Sequence, residues 1–169
     1  IAARGVPVIL HEMRPVRPTL VHKTDRLAEL VCSNSFRGDK LDNAVGLLKH
    51  EMSLLGSLVV RCGEEARVPA GDAFAVDRER FAGAVTSAIG NEARISLHRE
   101  EVTSLDRGGH DFLVIATGPL TSQPLFDAIN EFLGWGLGWA IERASGREPD
   151  VRHRSSRHES EHRRRGIGF

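Results

Sequence analysis

The chain has 169 residues, of which 40% are hydrophobic, 27% charged and 5% aromatic, a composition that suits one domain with a real core. No stretch approaches the roughly 18 consecutive apolar residues that a membrane-spanning helix needs, which argues against a membrane protein. Residues 1–10 lack the small-residue cleavage site of an export signal, so we expect a cytoplasmic location. Cys32 and Cys62 are too few for a disulfide framework and are expected to be free thiols.

The net charge of zero hides a difference between two parts of the chain. Residues 1–146 carry 16 basic and 19 acidic side chains, whereas residues 147–169 carry 7 arginines and 4 acids. The second part has almost no apolar residue with which to form a core, so it is predicted to be a disordered tail rich in arginine and histidine. Such a tail could contact nucleic-acid phosphates in a non-catalytic RNA-binding module, or it could be a solvated end without a role.

The first half of the chain alternates between helix and strand signals. Residues 1–4 are typical of a last helical turn ended by Gly5, and residues 6–10 of a buried strand that leads to Glu12. A helix is predicted over residues 42–55, with Val45, Leu48, Met52 and Leu55 on a core-facing side. Residues 57–60 could form a strand, and residues 77–89 a helix capped by Asp77.

Three further strands are predicted in the second half. Residues 94–98 and 101–105 alternate between apolar and polar side chains, and residues 112–116 form an apolar run typical of a central parallel strand. The pattern predicts an α/β fold of three layers with a mainly parallel sheet. The first strand and the glycine-rich loop of a dinucleotide-binding fold are missing from it.

Few residues stand out as candidates for chemistry. A thiol at Cys32 follows an apolar run in a polar segment that also contains Arg37, but a free cysteine is more often an inert packing residue. The Thr117-Gly118 turn after an apolar run could approach a ligand closely. The histidines show no paired spacing with acids, so no metal site is predicted.

Six short motifs, taken together, resemble one enzyme family. They are His11–Pro15, Glu29–Ser35, Asn43–Lys49, Arg67–Gly71, Ala75–Arg78 and Val114–Ser122. In this order and spacing they are similar to the methylenetetrahydrofolate-tRNA-(uracil-5-)-methyltransferase family, TrmFO. The resemblance covers residues 1–129. It leaves residues 130–146 as a segment without a family match, followed by the tail.

The resemblance implies an incomplete Rossmann-like FAD-binding domain. It also implies an enzyme that forms 5-methyluridine in the T-loop of tRNA, with FAD as cofactor and with methylenetetrahydrofolate and NAD(P)H as co-substrates. Because the glycine-rich loop is missing, the chain alone is expected to be inactive and to bind FAD weakly. An alternative in the same enzyme class is a relative of the flavin-dependent enzymes that modify the wobble uridine of the anticodon.

The resemblance also assigns roles to particular residues. Cys32 matches a functional cysteine that attacks the base or stabilises a flavin intermediate, and the sequence leaves both roles open. By the resemblance, Glu12 is the acid that binds the ribose of FAD, and Arg14 follows it beside the adenosine. Val102 lies on the strand expected to meet the adenine, and Thr117 and Gly118 form the turn expected over the cofactor.

Overall fold

The computed structural model describes residues 1–134, which fall into two compact units that divide after Val102. The segment 135–146 and the predicted tail over residues 147–169 lie outside the described residues. The chain opens with a short 3₁₀ helix, Ala2–Arg4, which ends at Gly5 in a left-handed conformation with φ of 86°. The predicted helical turn is therefore present, although it is 3₁₀ rather than α.

A parallel pair of strands forms one sheet of the first unit. Strand β1 is Val8–Glu12 and strand β5 is Ile95–Arg99, so both predicted strands are confirmed with slightly later boundaries. In each strand partly buried side chains alternate with exposed ones. Leu10 and Leu97 therefore pack against the core while the intervening residues face outward.

The second sheet of this unit is antiparallel, and the prediction of a mainly parallel sheet is wrong for the described residues. Strand β4, Ala73–Val76, lies between β2, Ser35–Gly38, and β3, Arg67–Val68. Strand β3 has only two residues, and the four residues of β2 include one large apolar side chain, Phe36, so neither strand shows a periodic apolar pattern. Of the strands in these two sheets, only the longer parallel pair shows a strand pattern in the sequence, which is why the sequence predicts a parallel sheet.

Helix α1, Ala44–Leu54, is where it was predicted, but its predicted core face is wrong. Leu48 is 55% exposed and Leu55, just after the helix, is 79% exposed. The buried residues are instead Gly46 and Lys49. A Cβ atom on Gly46 would lie 2.0 Å from the Lys40 carbonyl oxygen, so only glycine permits this close approach of the helix to the preceding loop.

Two more helices complete the first unit. The predicted strand over residues 57–60 is wrong, because these residues begin helix α2, Leu58–Glu65, where Ser57 caps the amide of Val60 at 3.3 Å. A short apolar run does not distinguish a strand from a buried helix. Helix α3, Arg78–Gly90, is confirmed, including its cap: the Asp77 carboxylate accepts a hydrogen bond from the amide of Arg80.

The core of the first unit lies among α2, α3 and β4. Phe36 packs against both Phe74 and Phe81, with ring centroids 5.6 and 5.3 Å apart. The buried members of the core are Leu27, Val60, Cys62, Ala66, Phe74, Val76, Phe81 and Val85.

The second unit contains the 3₁₀ helix Gly118–Leu120 and helix α4, Gln123–Leu133. The predicted strands over residues 101–105 and 112–116 are wrong, since neither segment forms a strand in the described structure. Phe112, at the start of the apolar run, is 87% exposed. A continuous apolar strand needs hydrogen-bonding neighbours and covered faces, and within residues 103–134 no strand is present to pair with it.

Candidate functional site

The end of β1 carries a carboxylate that is held in a fixed orientation. Glu12 is half-buried at the carboxyl end of a parallel strand, the end at which open α/β sheets bind their ligands. Arg14, two residues further along the chain, donates three hydrogen bonds to the Glu12 carboxylate. Its Nε donates to Oε1 at 3.0 Å, its Nη2 donates to Oε2 at 3.2 Å, and its backbone N–H donates to Oε1 at 2.9 Å. The bidentate grip fixes the plane of the carboxylate.

The remaining donors of Arg14 bind the segment that follows β1. Nη1 donates to Oε2 of Glu29 and to the carbonyl of Thr24, both at 3.2 Å, and Nη2 donates to the carbonyl of Arg26 at 3.1 Å. Arg14 is only 5% exposed, and each of its five guanidinium N–H groups has an acceptor within the chain. We call Glu12, Arg14 and Glu29 the Arg14 network. Arg14 has no donor left for a ligand, so its contribution is to position Glu12.

Both carboxylates of the Arg14 network are stabilised as anions. Burial by itself raises the pKa of Glu12, but the hydrogen bonds from Arg14 and the positive charges of Arg14 and Arg99 outweigh it and lower the pKa below 4.5. Burial likewise opposes a lowered pKa at Glu29, and the hydrogen bonds from Lys23 and Thr24 outweigh it. An ionised Glu12 is a hydrogen-bond acceptor only, which suits it to bind hydroxyl groups.

Cys32 lies on a short exposed bend that is anchored at both ends. Three residues before it, Glu29 belongs to the Arg14 network. Two residues after it, Asn34 forms two hydrogen bonds with the backbone of Val76 in β4. The side-chain amide of Asn34 donates to the Val76 carbonyl at 3.0 Å, and the backbone carbonyl of Asn34 accepts from the Val76 amide at 2.9 Å. The thiol is therefore accessible and is carried on a segment tied to Glu12.

Cys62 has the opposite environment. It lies in α2 and is 2% exposed within the core. Burial raises the pKa of its thiol and the negative charge of Glu65 raises it further, against a smaller opposing effect of Arg61. A buried thiol that resists ionisation is a poor nucleophile, so Cys62 is a packing residue.

Val102 lies just beyond the strand that pairs with β1. The amide of Glu100 donates to the carbonyl of Glu12 at 3.1 Å, so the backbone of this segment continues beside the end of β1. Glu101 pairs with Arg17 at 3.5 Å through Oε2, while its Oε1 is buried without a hydrogen-bond partner. The structure thus places Glu100, two residues before half-buried Val102, at the edge of the sheet where Glu12 lies.

Thr117 and Gly118 belong to the second unit and form an exposed local turn. The hydroxyl of Thr117 is 2.6 Å from that of Thr121, which donates in turn to the carbonyl of Gly118 at 2.8 Å. Gly118 has a φ of 67°, a left-handed conformation that favours glycine. The contact of this turn with a cofactor stays a prediction.

Sequence reasoning missed one group of side chains and two anchoring residues. The pairing of β1 with β5 places His11 beside His98, and Glu100 joins them, although no spacing in the sequence indicated this cluster. The prediction of no metal site stays a prediction. Nothing in the sequence distinguishes Glu29 or Lys49 from the other residues of their motifs, yet both hold the backbone of neighbouring segments.

Comparison with known proteins identifies the family. The family model described as Glucose inhibited division protein A matches residues 1–132. The chain belongs to this family. Within it, the chain is 57% identical over 134 residues to the methylenetetrahydrofolate-tRNA-(uracil-5-)-methyltransferase TrmFO of Streptococcus suis, a match that covers 79% of this chain and 30% of the relative.

Two further relatives give the same picture. The TrmFO proteins of Azorhizobium caulinodans and Chelativorans sp. are 55% and 58% identical over 135 and 134 residues, with 79% of this chain and 29% of each relative covered. The resemblance predicted from six motifs is thus confirmed over nearly the predicted range. The chain spans about 30% of the length of these curated relatives. Within residues 1–134, no helix is long and apolar enough to cross a membrane.

Proposed function

We propose that this chain contributes the adenosine side of an FAD site, together with one functional cysteine, to a folate-dependent tRNA (uracil-5-)-methyltransferase of the cytoplasm. The proposed product is 5-methyluridine in the T-loop of tRNA. The observation that carries the proposal is the Glu12 carboxylate, which buried Arg14 fixes at the carboxyl end of a parallel strand. The similarity to TrmFO proteins supports the choice of substrate.

The residues at this edge of the sheet fit an adenosine. Glu12 Oε2 accepts one hydrogen bond from Arg14, and a carboxylate oxygen has room for a second, so a ribose hydroxyl can donate to it. The backbone near Val102, at the same edge, is the proposed contact for the adenine ring. For Thr117 and Gly118 of the second unit, a cofactor contact is proposed from the family resemblance alone. Arg14 contributes by holding Glu12 rather than by touching FAD.

The proposed chemistry of Cys32 follows from the weakness of uracil C5 as a nucleophile. When the Cys32 thiolate adds to C6, the C5–C6 electron pair becomes an enolate, and C5 can then attack a one-carbon unit. The C5 proton is lost, the one-carbon unit separates from tetrahydrofolate and gains a hydride equivalent, and expulsion of the Cys32 sulfur then restores the ring with a methyl group on C5. FAD, when bound, supplies the redox chemistry, with methylenetetrahydrofolate as the carbon donor and NAD(P)H as the reductant. The exposed position of Cys32 equally permits a role on the flavin side of the reaction.

A grafted enzyme tests the proposal. Residues 1–134 of this chain replace the aligned region of the Streptococcus suis relative, and mass spectrometry measures 5-methyluridine in tRNA from a strain that lacks its own enzyme. We expect the graft to restore the modification, Cys32→Ser to abolish it, and the matched Cys62→Ser to retain it.

Three results would contradict the proposal. The first is a flavin-loaded graft that is fully active with Cys32→Ser. The second is a flavin-loaded graft that leaves the T-loop unmodified, and the third is one that modifies the anticodon wobble uridine instead. The flavin absorption spectrum of each variant shows whether a loss of activity reflects loss of the cofactor.

A further inference from the structure

Two histidines and one glutamate form a cluster on the exposed face of the parallel strand pair. The register of β1 and β5 places His11 directly beside His98, on the opposite face from the core residues Leu10 and Leu97. The two imidazole rings meet edge to face with centroids 5.4 Å apart. Glu100 Oε1 lies 2.9 Å from Nδ1 of His11 and 3.6 Å from Nδ1 of His98.

The spacing of these atoms is close to that of ligands around a metal ion. One ligand atom from each of the three residues lies within 4.8 Å of the others. Zinc bonds of about 2.0–2.1 Å at tetrahedral angles separate neighbouring ligands by about 3.3 Å. The two distances to Glu100 Oε1, 2.9 and 3.6 Å, lie on either side of this value. Small rotations of exposed side chains would bring all three onto one ion.

The ligand set also has suitable chemistry. Two imidazole nitrogens and one carboxylate oxygen suit Zn²⁺ and neighbouring transition metals, and three protein ligands leave a position for water. Contrary to the expectation of no metal site from the sequence spacing, we propose that His11, His98 and Glu100 bind one Zn²⁺ ion. Within residues 1–134, the Glu100 carboxylate lies close to these two histidines and forms an ion pair with no lysine or arginine, so its charge is available to a cation.

The backbone holds the three ligands in place. His11 and His98 are fixed by the β1–β5 ladder, and the amide of Glu100 donates to the carbonyl of Glu12 at 3.1 Å. Ligands on hydrogen-bonded strands need little reorganisation to bind an ion. The bound ion would join the two strands beside Glu12 and would stabilise the folded unit, because the strand pairing of the folded state brings its ligands together.

Calorimetric titration of the complete 169-residue chain with Zn²⁺ at about pH 7.5 tests the site, since free imidazole is mainly neutral there. We expect the His11→Ala/His98→Ala double variant to bind one Zn²⁺ ion per chain fewer than the unchanged protein. His50→Ala is the matched control, since His50 is an exposed histidine of α1 outside the cluster, and it should bind as the unchanged chain does. A second control removes the imidazoles of the tail. Its substitutions are His153→Ala, His158→Ala and His162→Ala.

Removal of either histidine should lower the affinity of this cluster for Zn²⁺ about tenfold or more. Losses of this size are seen when supporting groups of metal sites are removed. Glu100→Gln, which keeps the shape of the side chain, should also weaken binding. The inference is overturned if the double variant binds the same number of ions with the same affinity as the unchanged chain. It is also overturned if only the tail substitutions remove binding. If circular dichroism shows that the double variant is unfolded, the exposed Glu100→Gln variant decides the question in the same assay.

Discussion

Replacing Arg14 with lysine should destabilise the folded chain by about 3–5 kcal/mol, although the substitution keeps the positive charge. Arg14 is 5% exposed and donates five side-chain hydrogen bonds, three of them to the carboxylates of Glu12 and Glu29. Lysine has three donors on one nitrogen and cannot grip a carboxylate with two parallel bonds.

The magnitude follows from the bonds that are lost. Lysine leaves at least two of the five acceptors without a partner, and each hydrogen bond to a charged group contributes about 1.5–3 kcal/mol. The sum agrees with the cost of about 3–5 kcal/mol for disrupting a buried ion pair. Total stabilities are about 5–15 kcal/mol, so the variant should lose a large part of its stability.

Urea unfolding followed by circular dichroism measures the effect. Arg17→Lys is the matched control, because the Arg17 side chain is 55% exposed and meets Glu101 at 3.5 Å. Such a surface pair contributes about 0–1 kcal/mol, so the control should unfold almost as the unchanged chain does. If Arg14→Lys stays within about 1 kcal/mol of the unchanged chain, the Arg14 network does not organise this edge of the sheet.

Three further predictions concern pH, thiol reactivity and an exposed helix face. The pKa values of Glu12 and Glu29 are lower in the folded chain than their ordinary value of 4.5, so the stability they contribute is present above pH 4.5 and is lost as the pH falls through the lowered values. Urea midpoints measured below pH 4.5 should therefore fall, and a flat profile contradicts this. Iodoacetamide should label Cys32 in the folded chain but reach Cys62 about 100-fold more slowly, as peptide mass spectrometry can show, and equal rates would refute the assigned burial. Leu48→Gln in α1 should change the unfolding free energy by less than about 0.5 kcal/mol in urea titrations, because Leu48 is exposed. A loss above about 2 kcal/mol would show that Leu48 is a core residue instead.

The sequence predicted the elements that are defined by neighbouring residues along the chain, such as a helix with a side-chain cap. The helix after Asp77 begins at a side-chain cap and was placed correctly, and the parallel strands were recognised from their apolar residues. The strand predicted over residues 112–116 failed because an apolar run forms a strand only beside a partner strand. The partner is a property of the whole fold, and the run itself does not encode it.

Helix α1 shows why a helical pattern does not determine which face is buried. Its leucines are spaced as a core stripe, yet buried Lys49 directs the helix toward the loop and strand before it. The Lys49 Nζ donates to the carbonyls of Phe36, Gly38 and Val45 at 3.0, 2.5 and 3.0 Å. A lysine is ordinarily assigned to the surface, so its three carbonyl partners could not be expected from composition or periodicity.

The candidate site was predicted in part. Glu12 and Cys32 were named from motifs, but the buried arginine that connects Glu12 to the segment carrying Cys32 was expected to face the cofactor. Its five internal acceptors come from residues up to 15 positions away, so only the folded chain shows that its donors are used. The histidine cluster was invisible for the same reason, because a parallel register joined residues 87 positions apart in the sequence.

The affinity of the grafted enzyme for FAD tests the central claim most directly. The cofactor-free graft, with residues 1–134 of this chain in the Streptococcus suis relative, is titrated with FAD while flavin fluorescence is recorded. Glu12→Gln should weaken binding about 10- to 150-fold, which corresponds to about 1.5–3 kcal/mol for a hydrogen bond to a charged group. Arg17→Gln should leave the affinity unchanged. Equal FAD affinity in the Glu12→Gln graft and the unsubstituted graft would contradict the assignment of Glu12 to the ribose.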